Sequence, residues 1–382
     1  MLKKKSILQY SILGVFLVVF FGVTYYLNQP VQGEHPTAFS KIVYEKAIVK
    51  EIVFDQAAED EWTEGLRVGS QGVRLTIDSG EYKGMDLDAI NYMAAYNNVD
   101  LKEGSRVIVQ LDYDTEGRLY VVDLKYHDRS FMLWGLLGLF MALMILFGGK
   151  KGLSALLGLA FTIFSIWFFL IPLIKRGFPA IPAAVILVSV TTFVSLIFLN
   201  GFSKKTMGAV IGCVGGVTIA GLIAHLAGLM SPINGFNMPE AEDLILRSAE
   251  NVKISGLLVS GILISALGAV MDIALMITSA ISELKDMNPQ AKRVDLFKSG
   301  LNIGRDGMGT MANTLILAFA GTSLNTLILL RTYDYPFLRI INSDLMVLEI
   351  VQGLSGSIGI VLTVPLVAAL GAYMFTNGKK TV

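Results

Sequence analysis

Asp272, Ser279 and Glu283 recur at helical spacing on one face of an apolar segment, and Asn302, Asp306, Thr310 and Asn313 do the same in the next one. Acid, amide and hydroxyl groups inside such apolar runs are suited to holding a proton, a cation or a polar solute. Arg305, beside Asp306, adds a fixed positive charge that tunes an acid's affinity for protons. Two readings stay open. In one, Asp272 carries a proton or cation through an alternating-access cycle, with Asn313 and Thr310 as polar ligands. In the other, Asp272 is held permanently by a hydrogen bond or by Arg305 and fixes the pairing of two helices.

Depth bears on both readings. An Asp at the bilayer centre costs about 2.5 to 3.5 kcal/mol, and less towards the ends. With the first span leaving the membrane near Ser279, a rise of 1.5 Å per residue puts Asp272 roughly 10 Å inside the boundary. Asn313, counted from Asp306 on a helix running the other way, reaches a similar depth. The two are expected to meet, with Glu283, Arg305 and Asp306 forming a rim beneath them.

The elements that must position these groups are membrane helices. Of the 382 residues 53% are hydrophobic, and the mean hydropathy is +0.61, far above a soluble composition. Formal net charge is zero, so nothing in the balance points to nucleic acid. The single cysteine, Cys213, excludes an intramolecular disulfide. His35, His127 and His225 lack zinc-site spacing, so no metal or cofactor is expected.

Three lysines precede an apolar run over 6–27, which reads as a first span or an uncleaved signal-anchor. Residues 31–129 then change to a soluble composition. Alternating segments such as 41–54, 66–77, 105–113 and 118–126, broken by Asp, Gly and Ser clusters, predict a small all-β, OB-like domain. It carries eleven Lys and Arg against nineteen Asp and Glu, a net charge of −8, without a metal-loop pattern. Residues 130–382 hold candidate helices at 131–148, 152–173, 179–200, 207–229, 254–278, 306–330 and 345–375. With the first helix these make about eight, with both termini cytoplasmic and the β-domain extracytoplasmic. The positive-inside count agrees, at fourteen Lys and Arg on the inner side against six in the outer loops.

Between these spans, an acidic outer loop over 231–253, with Glu240, Glu242 and Asp243, and a basic inner loop over 283–304 are each long enough for a short interfacial helix. Gly208, Gly212, Gly216, Ala220, Ala224 and Gly228 form a small-residue stripe every four residues, which predicts a central, tightly packed helix. His225 sits beside it. The last span is longer than a bilayer and is expected to tilt, kink at Pro365 or break near Gly356, with Glu349 reaching water at its outer end.

Two function classes follow. Paired polar stripes, helix-break signals and the glycine stripe suit a transporter or permease with a polar seam between the helices at 254–278 and 306–330. The alternative is a membrane scaffold whose β-domain docks a partner. An enzyme is not expected, because HExxH, GxSxG, a Cys–His pair and a second membrane Asp at the depth of Asp272 are all missing.

The segments GAVMDIALMITSAISEL, LFKSGLNIGRDGMGTMANTLILAFAG and EIVQGLSGSIGIVLTVPLVA at 349–368, preceded by DSGEYKG at 78–84, resemble the YibE/F-like integral membrane proteins of bacteria. The run GRDxMGTMxNT at 304–314 is the most specific part of the likeness. The resemblance implies a multi-pass protein of the bacterial inner membrane. It also implies a second YibE/F-like protein as a candidate partner, beside lipid and a homo-oligomer. It assigns no residue a role.

Overall fold

The computed structural model describes residues 2–29, 42–96, 98–114, 117–233, 236, 254 and 256–376, with side chains from Ser11 onward. The acids expected in the 231–253 loop, Lys379 and Lys380 lie outside the described residues. Two compact units divide the chain, Val31–Leu143 and the remainder.

The first unit is a β-sheet half-barrel. Its strands are β1 (Ile42–Asp55), β2 (Ala58–Glu59), β3 (Arg67–Ile77), β4 (Asp86–Met93), β5 (Arg106–Tyr113) and β6 (Leu119–His127). All pairings are antiparallel, in the order β4-β3-β1-β5-β6, with β2 also on β3. Alternation puts Val107, Val109, Leu111 and Tyr113 of β5 inside, against Val49, Val73, Leu75, Ile77 and Leu124. Irregular register in β1, between Val49 and Glu51 and again between Ile52 and Phe54, bends that strand around the core. Gly69, at φ 137°, lies where a Cβ would sit 2.7 Å from the Gln56 carbonyl, so this crossing needs glycine.

A polar network closes the half-barrel. Arg67 donates to both oxygens of Asp55 at 3.0 and 2.9 Å and to Asp100 at 2.6 Å. The buried Gln71 donates to Asp55 at 3.0 Å and accepts from the Leu101 N–H, while Asn91 donates to Gln71 and to the Val99 carbonyl. Each buried amide therefore has partners, as burial demands. The Arg67 guanidinium, with Gln71 and the Ala57 N–H, holds Asp55 down at about 2. Ser130, followed by Lys46, holds Asp128 at about 2.

In the second unit the helices are α1 (Leu2–Leu27), α2 (Ser130–Ser165), α3 (Ile171–Lys175), α4 (Ala180–Asn200), α5 (Lys204–Met230), α6 (Leu257–Met287), α7 (Arg293–Thr322), α8 (Leu324–Thr332), α9 (Phe337–Ile341) and α10 (Asp344–Thr376). The start of α2 belongs to the first unit. Among the described residues five helical stretches are long and apolar enough to cross a membrane, six if α7 and α8 form one bent span. The expected helices at 131–148 and 152–173 meet at a kink, where Gly149 leaves helical geometry (φ 53°, ψ −133°), and the second continues through a π-turn over Ile166–Leu170 into α3. Pro172, which has no N–H to give, follows that π-turn.

The expected long loop at 283–304 is corrected. Helix α6 runs on to Met287 and α7 begins at Arg293, because Ile281, Leu296, Gly300 and Gly304 keep helical phase and bury one face. Only a short turn at Pro289 separates them. Nor does the last span break near Gly356: α10 is continuous across Pro365.

Helix α5 sits at the centre, against α4, α6 and α10. A Cβ on Gly212 would meet Val367, one on Gly216 would meet Thr363 and Val270, and one on Gly359 of α10 would meet Ala220. Backbones thus approach closely, and dispersion contacts replace the hydrophobic drive that lipid removes. Beside this core Phe20 packs on Phe161 and Phe169. Arg176 donates to the carbonyls of Tyr26, Leu27 and Gln29, capping the end of α1 with a cation.

Two predictions follow from these contacts. Gly216→Val should cost about 1–3 kcal/mol by overpacking and lower the thermal midpoint of the detergent-solubilised protein, whereas Gly261→Val, at a position open to space, should leave it unchanged. Because Asp55 titrates below its ordinary 3.8 when folded, its contribution is present above about pH 4 and is lost as pH falls towards 2. Hydrogen exchange in β1 and β3, corrected for intrinsic rates, should accelerate over that window, and Arg67→Ala should remove the acid-dependent part.

Candidate functional site

The turn between α6 and α7 is tied by its own polar groups. Lys285 donates to the carbonyls of Pro289 and Ala291 at 2.9 and 3.0 Å, and the Lys292 N–H donates to Asp295 at 3.3 Å. From there the two helices run antiparallel, and glycines set their register. A Cβ on Gly300 would lie 2.8 Å from Ile281, one on Gly304 2.9 Å from Ile277, and one on Gly307 2.5 Å from Met276. On their other side Gly300 and Gly304 meet Ala368 and Val364 of α10. This ladder places Asp272 level with Gly309 and Thr310. Asn313 lies about one turn, roughly 5 Å, further along.

The glycine face of α7 occupies the interior, so the polar stripe points away from it. Asn302, Arg305, Asp306, Thr310, Asn313 and Thr314 are all exposed. On α6, Asp272 is exposed in line with Gly261, Ser265 and Gly268, Ser279 is half-buried, and Glu283 is exposed. Open space lies over Gly261, Gly268 and Gly309. Among the described residues no hydrogen bond or ion pair joins Asp272 to Asn313 or Arg305. The packing brings both stripes to neighbouring helices and seals neither. Charged groups left open at membrane depth call for water or protein against them, since lipid would cost kilocalories.

A second polar cluster was not expected. Helix α7 stops at Thr322, the Ser323 N–H closes its last turn on the Phe319 carbonyl at 3.1 Å, and α8 leaves at 57°. Ser323 is 6% exposed and its hydroxyl has no partner; Oε2 of Glu349, on α10, is likewise buried without one. Both residues line a cavity of about 220 Å³ with Phe319, Leu327, Ile350 and Leu354. Sequence reading sent Glu349 to water and passed over Ser323. The Gly-Thr-Ser run at 321–323, inside an apolar segment, is the signal that marks the break.

A further cavity of about 750 Å³ lies beside His225, Pro179, Pro232 and Phe236. Among the described residues no three His, Cys, Asp or Glu side chains are placed to hold a metal ion.

No curated protein and no solved structure matches the chain. The family model described as YibE/F-like protein matches residues 136–377, a stretch that holds the bundle from α2 to α10, the glycine ladder and both polar clusters. The chain belongs to the YibE/F-like family.

Proposed function

We propose that this protein is a permease of the bacterial inner membrane, with both termini cytoplasmic and the OB-like half-barrel outside, and that polar solutes or ions pass along the faces of α6 and α7. One observation carries the reading: Asp272 and the Asn302–Thr314 stripe stay open instead of being paired within the bundle. A purely structural acid would be expected to have a partner. In this proposal Asp272 is the carrier, Thr310 is the polar group nearest its level, and Asn302, Asp306 and Asn313 extend the polar route. Arg305 biases the charge state of the acids, with Glu283 nearer the α6–α7 turn. A second YibE/F-like chain, or a second copy, completes the route where lipid would otherwise touch these groups. The chemistry is binding and movement, without bond cleavage.

The smooth glycine side of α7, packed on α6 and α10, suits small sliding or rocking displacements that bulky interdigitated side chains would resist. Proteoliposomes should show movement of protons or a cation under an imposed gradient. Asp272→Asn should abolish that movement while the thermal midpoint stays within about 1–2 °C, since an exposed substitution changes stability little. Wild-type vesicles without flux under any gradient tried, together with cellular function retained by the Asn variant, would defeat the proposal.

A docking role for the half-barrel is favoured by a separate observation. A groove between β4 and β6 is lined by Phe54, Ile90, Tyr92 and Val121, all exposed. Arg74, Asp88 and Asp123 also line it, and a groove of apolar and aromatic side chains edged by charges suits a protein partner. Ile90→Asp should release crosslinked envelope partners and leave vesicle flux intact; partners retained by this variant would remove the docking role.

A further inference from the structure

Helix α7 has two faces, and the bundle uses one of them. Gly300 and Gly304 are buried against α6 and α10. On the opposite face Asn302, Asp306, Gly309, Asn313, Ile316 and Ala320 are all exposed, at intervals of four, three, four, three and four residues. That alternation is the heptad seam of a coiled coil, whose residues fill the two core positions of a helix pair. From Asn302 to Ala320 the seam rises roughly 27 Å at 1.5 Å per residue, close to the roughly 30 Å of a hydrocarbon core. It ends just before the break at Ser323, where α8 leaves at 57°.

Lipid does not satisfy such a seam. Among the described residues the side chains of Asn302, Arg305, Asp306 and Asn313 have no hydrogen-bond or ion-pair partner. Nothing lies within 4 Å of where a Cβ on Gly309 would sit. The missing neighbour must bring amide and charge partners, and a helix able to close on a glycine.

The seam is its own complement. In a parallel pair related by a two-fold axis along the membrane normal, each seam residue meets its counterpart at the same depth. Asn313 then faces Asn313 of the second copy, and two carboxamides donate to and accept from each other. A core Asn of this kind fixes register and a two-stranded state. Arg305 precedes the Asp306 core position on the flank that a parallel partner packs against, so each guanidinium lies beside the other copy's carboxylate. Two carboxylates and two guanidiniums close a neutral set. Gly309 lets the backbones approach between these groups, and Ile316 and Ala320 fill the apolar end.

We infer that two copies of this chain dimerise in the membrane through the outer seam of α7, parallel and two-fold symmetric, with Arg305 of each copy paired to Asp306 of the other. The second copy is the cover that the polar stripe calls for. Dimerisation by this seam rests on the permease reading for the membrane depth of α7 alone, and needs no solute to move.

Disulfide crosslinking of the full chain in native membranes reads the interface. In a Cys213→Ala background, which removes the one native thiol, Gly309→Cys, Asn313→Cys and Ile316→Cys should each give a dimer on oxidation. Ala318→Cys, exposed on the same helix but off the seam, and Ile186→Cys, exposed on α4, should stay monomeric. With Ile316→Cys as the reporter, Arg305→Asp and Asp306→Arg should each lower the dimer yield at least several-fold, and both in one chain, which exchanges the charges, should restore it. If a charge variant does not fold, the cysteine series decides by itself. Dimerisation by this seam is overturned if the three seam cysteines give no dimer, if Ala318→Cys crosslinks as strongly as they do, or if the crosslinked product holds a different protein. Seam dimers in vesicles without flux would uphold the interface and remove the permease; flux without seam crosslinks would do the reverse.

Discussion

The bundle depends on backbones that come closer than ordinary side chains allow. Lipid is as apolar as leucine, so helices do not associate to escape it; they associate where dispersion contacts are dense. Small residues supply that density at three places: Gly212 and Gly216 of α5, Gly359 of α10, and Gly300, Gly304 and Gly307 of α7. Helix α10 threads between α5 and α7 and is shared by both. Its small residues Gly353, Ser355, Gly356, Ser357 and Gly359 are buried for that reason.

This constraint decides where the polar groups go. A helix has one side to give to its closest neighbours, and on α7 the glycines take it. Asn302, Asp306 and Asn313, on the opposite side, are left facing outward. Where a helix must also stop, the polar cost gathers at the end. The α7–α8 break leaves the Ser323 hydroxyl buried and unpaired, on the same cavity that Glu349 of α10 lines. The same economy of backbone groups is visible in Arg176, which spends its guanidinium on the carbonyls at the end of α1.

The half-barrel is held by different physics. Its alternating strands bury Val107, Val109 and Leu111 as the hydrophobic effect favours, and the side-chain amides of the buried Gln71 and Asn91 are hydrogen-bonded. Its charges engage one another at the surface, with Arg67 and Asp55 setting the acid-sensitive point.

Composition and spacing alone determined that the chain is membrane-embedded, that its alternating segments build a β-domain, and that each polar stripe has a single phase around its helix. They also marked the small-residue stripe of α5, because four-residue spacing survives any choice of neighbour. Spacing could not say which way a phased face points, since that is chosen by competition among faces for the same neighbour. The Gly300–Gly307 side of α7 won that competition, a helix continued where a loop at 283–304 was expected, and Ser323 and Glu349, far apart in the chain, came to line one cavity. Those outcomes belong to tertiary structure, because close approach between two backbones is a property of a pair of helices and is written in neither one.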